Sequence, residues 1–253
     1  MAPAKKVETL EITPVSKGTV KLGILGESPL ILNRLSEKAR HELLLPAGRR
    51  SSPAARAATL KHEPLREFRD SPYMVAESDS PTLLSLPATA FKGAMRTAAL
   101  DLPGVNKTQV GRLVYVEGEY VPIYGLPQVL LSITRSADIK HTPDVRTRCI
   151  IAKWAAFVEV SFVEPLITLR SVANLLAAGG VTAGVGDWRV EKGSGSFGRY
   201  TVTGAENPEF LDIISGGGRS AQEAAMADPT PYDRETADLL TWFDIELKGR
   251  TNG

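Results

Sequence analysis

The chain has 253 residues, 43% hydrophobic and 23% charged, with a formal net charge of +1. These are ordinary globular proportions, enough for one elaborate domain or two small ones, and they exclude a disordered chain. No apolar run reaches the roughly 18 residues a membrane span needs, and a single cysteine, Cys149, excludes an internal disulfide.

In chain order, "KKVETLEITPV" and "GTVKLGILGESPLIL" read as strands, the second interrupted at Ser28-Pro29. "NRLSEKARHELLL" has helical spacing at Leu35, Ala39 and Leu43. "PAGRRSSPAARAATLKHEPLREFRDSP" is rich in proline and basic residues and reads as an inserted loop. In "LLSLPATAFKGAMRTAALDLPG", a turn at Pro87 opens a helix with Phe91, Met95 and Ala99 on its apolar face. "GRLVYVEGEYVPIYG" alternates like a hairpin, and a basic linker near 132–152 precedes a strong strand, Ala155 to Phe162. Trp154 and Phe157, at the edge of that strand, read as core. "TLRSVANLLAAGG" is a helix capped by Thr168 or Ser171 and stopped by Gly179-Gly180. "RYTVTG" is a last strand, and "RETADLLTWFDIEL" an amphipathic helix within the C-terminal segment.

This order suits an α+β fold, a ferredoxin-like or RNA-recognition-type β-α-β-β-α-β core with inserted basic loops and an acidic C-terminal tail. Residues 1–203 are expected to form one domain with insertions near 46–80 and 132–152, and 204–253 the tail. The tail holds ten acidic against four basic residues, a net −6, which leaves +7 on the body. A basic body permits contact with a polyanion. The three histidines are scattered, so no metal or cofactor is expected. The first dozen residues lack the apolar core of a secretory leader, so the expected location is the cytoplasm, away from membranes.

The stretch "GVTAGVGDWRVEKGSGSFGRYTV", Gly180 to Val202, is glycine-rich, cationic and aromatic. It lacks the P-loop pattern, and its glycines follow a helix rather than open one, which argues against a dinucleotide site. It is either a hairpin with glycines at positive φ or a surface that grips a nucleic-acid strand. Glycines let backbone approach phosphates, Arg189, Lys192 and Arg199 would neutralise them, and Trp188 and Phe197 would stack on bases. Lys92 and Arg96 stand four apart on one helix face. Arg135, Lys140, His141, Arg146 and Arg148 make the 132–152 linker a candidate extension over a bound strand. Arg49, Arg50 and Arg56 place further charge on the first insertion, which would be ordered on a polyanion. Asp138 and Asp144 are the catalytic candidates.

"LPATAFKGAMRTAAL" and "GVGDWRVEKGSGSFGRY" together resemble the RAMP superfamily, the repeat-associated proteins that build CRISPR effector complexes, and in particular their backbone subunit. Pro87, Lys92, Gly93 and Arg96 match one motif of that family. Gly193, Gly195, Ser196, Phe197, Gly198 and Arg199 match the other loosely, and "LGILGESPLIL" is similar to the family's first strand. The chain from about Leu22 to Val202 also resembles proteins encoded in tailed-phage genomes. The resemblance implies a single-stranded nucleic-acid-binding protein, RNA or DNA, that assembles with copies of itself into a filament. The acidic tail could then occupy a groove of its own or a neighbouring subunit, or recruit a replication or recombination protein. The alternatives are a RAMP-type ribonuclease with a metal at Asp138 or Asp144, and a structural filament or ring without nucleic acid.

Overall fold

The computed structural model describes residues 12–34, 44, 62–135, 143–192 and 195–251. Of the expected helix around 33–45, Asn33 and Arg34 are described and are not helical, Leu44 is described, and the rest lies outside the described residues.

Two antiparallel sheets and seven helices make up the described chain. The first strand, β1 (Ser16–Gly26), leads into the short β2 (Leu30–Leu32). Helix α1 (Pro64–Asp70) and β3 (Tyr73–Met74) precede β4 (Leu84–Pro87), which runs directly into α2 (Ala88–Ala98). Then come α3 (Lys107–Leu113), β5 (Val114–Val116), β6 (Tyr120–Tyr124), β7 (Pro127–Arg135) and β8 (Pro143–Ile151). After β9 (Ala155–Glu164) and α4 (Leu169–Thr182), a 3-10 turn at Val190–Lys192 precedes β10 (Tyr200–Thr203). Three helices, α5 (Pro208–Gly216), α6 (Arg219–Ala227) and α7 (Arg234–Thr251), end the chain.

The larger sheet runs β10-β1-β9-β6-β4-β3, with β5 also on β9, and the smaller is β2-β8-β7. This is an α+β architecture with seven strands in its main sheet rather than a plain four-stranded β-α-β-β-α-β unit. Period-2 alternation decides which face is which. Val20, Leu22 and Ile24 of β1 and Ala156, Val158, Val160 and Phe162 of β9 point into the main core. There they meet Phe91 and Met95 of α2 and Val172, Leu175 and Leu176 of α4. Leu25, Ala155 and Phe157 point the other way, to a second core sealed by Phe210 of α5. The Phe210 ring meets Phe157 edge-on at 5.0 Å.

Several elements differ from the sequence reading. β5 and β6 do not form a hairpin with each other: both pair with β9, β5 opposite Val160–Phe162 and β6 opposite Ala155–Ala156. The described part of the 132–152 segment is largely strand, because β7 and β8 form a nine-residue antiparallel ladder from Pro127↔Ile151 to Arg135↔Pro143. Alternation there was masked by the intervening basic residues. Thr168 does cap α4, accepting from the Ser171 N–H at 3.2 Å, but Gly179 and Gly180 lie inside the helix rather than beyond it. Trp154 is fully buried as expected, its Nε1–H donating to the Ser28 carbonyl at 2.9 Å, while Phe157 is half-buried.

The C-terminal acidic segment forms three helices where one was expected, and they are anchored to the body. Buried Gln222 accepts from the N–H groups of Leu83 and Leu84 and donates to the carbonyls of Ile123, Gly125 and Gly217. The Val129 N–H donates to the Thr230 carbonyl and the Tyr232 N–H to that of Val129, so the chain before α7 covers the outer edge of β7. No helix among the described residues is long and apolar enough to cross a membrane.

Candidate functional site

A groove of about 500 Å³ lies between α2 and the loop that follows α4. Its walls include Pro87, Thr89, Ala90, Gly93 and Arg96 from one motif and Gly186, Asp187, Arg189 and Glu191 from the other. Asn33, Tyr73 and Lys107 complete the rim. The two segments singled out in the sequence, about 90 residues apart, thus face each other across one concavity.

The loop is held by backbone bonds and by apolar packing, Val185 in the main core and Phe197 against Ile31, Leu130 and Ile150. The Asp187 N–H donates to the Ile31 carbonyl, Gly198 to Pro29, and Val185 to the carbonyl of Gly198. The Asn33 amide donates to Asp187 Oδ2 at 2.8 Å. The Arg199 N–H donates to the Ser28 hydroxyl at 2.9 Å, and its guanidinium pairs with Glu27 at 2.8 Å. The stretch after β1, "ESPLIL", is therefore the seat of the glycine-rich loop. Gly198 has φ +68, and a Cβ there would collide with the Val185 carbonyl, so only glycine fits this crossing.

Trp188 is the one non-glycine residue at positive φ among those described, at +49°. Its N–H meets Asp187 Oδ1 at 3.1 Å and its carbonyl accepts from Phe197. The side chain is 37% exposed beside the Phe197 ring, with centroids 6.1 Å apart and planes at 44°. A left-handed tryptophan is uncommon, and such strain persists where surrounding bonds over-determine it.

The groove's charges are partly cancelled. Glu191 pairs with Arg189 at 2.7 Å and accepts from the Thr97 hydroxyl of α2 at 2.8 Å, latching the loop to that helix. Burial alone would raise the Glu191 carboxyl, but the bonds from Thr97 and Arg189 outweigh it and hold it below its ordinary value. Asp187 stands 3.7 Å from Arg148. Burial pulls that guanidinium down and Asp187 opposes it. Among the described residues, no carboxylate lies within ion-pair reach of Arg96 or Lys107. Lys107 was not among the residues chosen from sequence: a lone lysine at the first position of α3 carries no motif, and only the fold brings it to the rim.

The other candidates scatter. Lys92 lies one turn before Arg96 but does not line the groove, its ammonium standing 4.3 Å over the Tyr115 ring. Lys192 is exposed on the 3-10 turn. Arg146 and Arg148 are on β8, and Arg135 ends β7. Asp144 is bonded to His62 Nε2 at 3.2 Å and paired with Arg146 at 3.2 Å, and His62 Nδ1 lies 2.9 Å from Glu67. No cluster of three or more potential metal ligands occurs among the described residues. Arg49, Arg50, Arg56, Asp138, Lys140, His141 and Gly193 lie outside them.

No family model matches the chain, and no curated protein matches it. Among solved structures it is similar to the crystal structure of Cmr6 from Pyrococcus furiosus, with 10% identity, a TM-score of 0.38, and coverage of 74% of this chain and 98% of that one.

Proposed function

We propose that this protein binds single-stranded nucleic acid, RNA or DNA, in the groove between α2 and the glycine-rich loop, as a RAMP-like subunit that lines up with copies of itself along the strand. One observation carries the reading: two of the segments on which the family resemblance rests, the Pro87–Arg96 turn and helix and the glycine-rich loop, face each other across one groove, and the third, β1 to β2, seats that loop through backbone bonds from Asp187 and Gly198. The groove's rim offers the uncompensated cations Arg96 and Lys107. Trp188 stands in sequence between two lining residues, Asp187 and Arg189, and its exposed ring would supply a stacking surface beside the phosphate contacts. Taking β1, α2, β5 with β6, β9, α4 and β10 as the ferredoxin-like unit, the groove lies on its helical side.

The test is fluorescence anisotropy of the full chain with labelled single-stranded oligonucleotides across a salt series. Log affinity should fall linearly with log salt, with a slope of about −0.7 per neutralised phosphate. Replacing Arg96 and Lys107 by alanine should weaken binding uniformly across sequences and flatten that slope by about one phosphate each. Trp188→Ala should cost about 1–3 kcal/mol per stacked base with the slope intact, because stacking releases no counterions. Salt-independent binding, or no binding, overturns the reading. Light scattering that shows a monomer with and without oligonucleotide removes the self-assembly.

A further inference from the structure

The groove has an aromatic feature at its other side that no motif announced. Tyr73 lines it, and its ring centroid lies 5.9 Å from that of Tyr120, with the planes at 42°. Tyr120 is 43% exposed. Both residues are placed by sheet register: Tyr73 sits opposite Ser85, and Tyr120 opposite Pro87. The Ser85 hydroxyl donates to the Tyr73 carbonyl at 3.2 Å, and the Ala88 N–H at the start of α2 donates to the Glu119 carbonyl. The pair is therefore built onto the same strand-to-helix corner that supplies the groove's α2 wall. Tyr73 lines the groove, and Trp188 stands in sequence between the lining residues Asp187 and Arg189; the pairs they form, Tyr73–Tyr120 and Trp188–Phe197, have nearly the same inter-ring distance and tilt.

We propose that Tyr73 and Tyr120 form a second base-stacking platform, so that the groove takes at least two unpaired nucleobases of one strand and rejects duplex. This rests on the nucleic-acid reading above and deepens it. In a duplex each base already stacks on its neighbours and pairs across the helix, leaving no π-face for either platform. An unpaired strand offers every base, and stacking tolerates any sequence. The phosphates between two stacked bases would then lie along Arg96 and Lys107. The same chemistry would also accept a free nucleotide, and the length of the ligand distinguishes the two sources.

The experiment measures full-chain binding to a labelled 12-mer oligo(dU), to the same oligomer with its central residues abasic, to a duplex of equal length, and to uridine monophosphate as competitor. Tyr73→Leu and Tyr120→Leu keep apolar bulk in each position, and melting temperature verifies that each variant folds. The expected result is a roughly ten-fold loss for each variant on oligo(dU), with the salt slope unchanged. On the abasic oligomer the variants should match the parent, and duplex and monophosphate should bind far more weakly than oligo(dU). Folded variants that bind oligo(dU) like the parent, while Arg96→Ala and Lys107→Ala weaken it, overturn the platform and leave the nucleic-acid reading standing. Equal affinity for duplex or for monophosphate also overturns it. Absence of any binding by the parent chain overturns both.

Discussion

A methyl group on Gly180 would be driven into the backbone carbonyl of Tyr200, and one on Gly179 would press on the backbone of Ala94 and Met95. These glycines therefore bring α4 against β10 and α2 at backbone distance, close to where the groove opens. Gly180→Ala has no flexible neighbour to displace, and overpacking of this kind costs about 1–3 kcal/mol or more. The variant should show a lower melting temperature. An unchanged melting temperature would mean that the helix can slide away from the strand. The sequence shows a pair of glycines after a helical pattern and suggests a stop signal. It contains no statement of which backbone passes alongside, so a glycine kept for proximity is indistinguishable from one that ends a helix. Burial was easier to read: Phe91, Met95 and Ala99 recur at helical spacing, and all three are buried. Lys92 and Arg96 share that helix, yet one stands over the Tyr115 ring of β5 and the other lines the groove, which spacing cannot reveal.

Between elements, the latch from Glu191 to Thr97 and Arg189 joins the glycine-rich loop to α2. Folding lowers the pKa of this carboxyl, so its stabilising contribution is present above the ordinary carboxylate range and is lost as pH falls through the lower folded value. The residue is substantially exposed, so the effect on stability is small. Glu191→Gln retains most of the shape while removing the charge. It should lower the melting temperature slightly at neutral pH, and the difference from the parent should close as the solution is acidified below the ordinary carboxylate range. The same change releases Arg189 from its partner and removes a negative charge from the groove wall, so binding of a single strand at low salt should tighten. Weaker binding would mean that the latch orders the loop more than it screens the strand. Strand-level organisation was readable where residues alternate without interruption, as in β1 and β9. It was not readable for β7 and β8, where bonded polar and cationic side chains on a two-sheet surface break the alternation. Nor was it readable for β5 and β6, whose shared partner β9 lies about 40 residues further on.

At the scale of the molecule, the acidic C-terminal segment is both a packing element and a source of field. Phe210 closes the second core, Gln222 satisfies two amides and three carbonyls around β4 and β6, and the Thr236 hydroxyl accepts from the Leu131 N–H. Deleting this segment would strip a core and leave buried backbone groups unpaired, each costing on the order of 1–3 kcal/mol. A truncation therefore measures folding and not electrostatics. No residue of α5, α6 or α7 lines the groove, and α5 covers the face of the main sheet opposite α2 and α4. Its negative charge can reach a bound strand only through the surrounding field, which decays over about 8–10 Å at physiological ionic strength. The informative variant keeps the packing and removes the charge. Asp212, Asp244 and Glu246 are exposed, and replacing them by Asn, Asn and Gln leaves Phe210, Gln222 and Thr236 in place. With these acids on the tail and a net positive body, the neutralised protein should bind single strands more tightly at low salt. The two proteins should converge as salt screens the difference. The melting temperature should stay within a degree or two, since exposed substitutions usually change stability by no more than about 0.5 kcal/mol. Identical affinities at the lowest salt would show that the acidic helices are too remote to be felt in the groove. Weaker binding would mean that these carboxylates hold neighbouring copies together on the strand, a role that light scattering of the same variant would register directly.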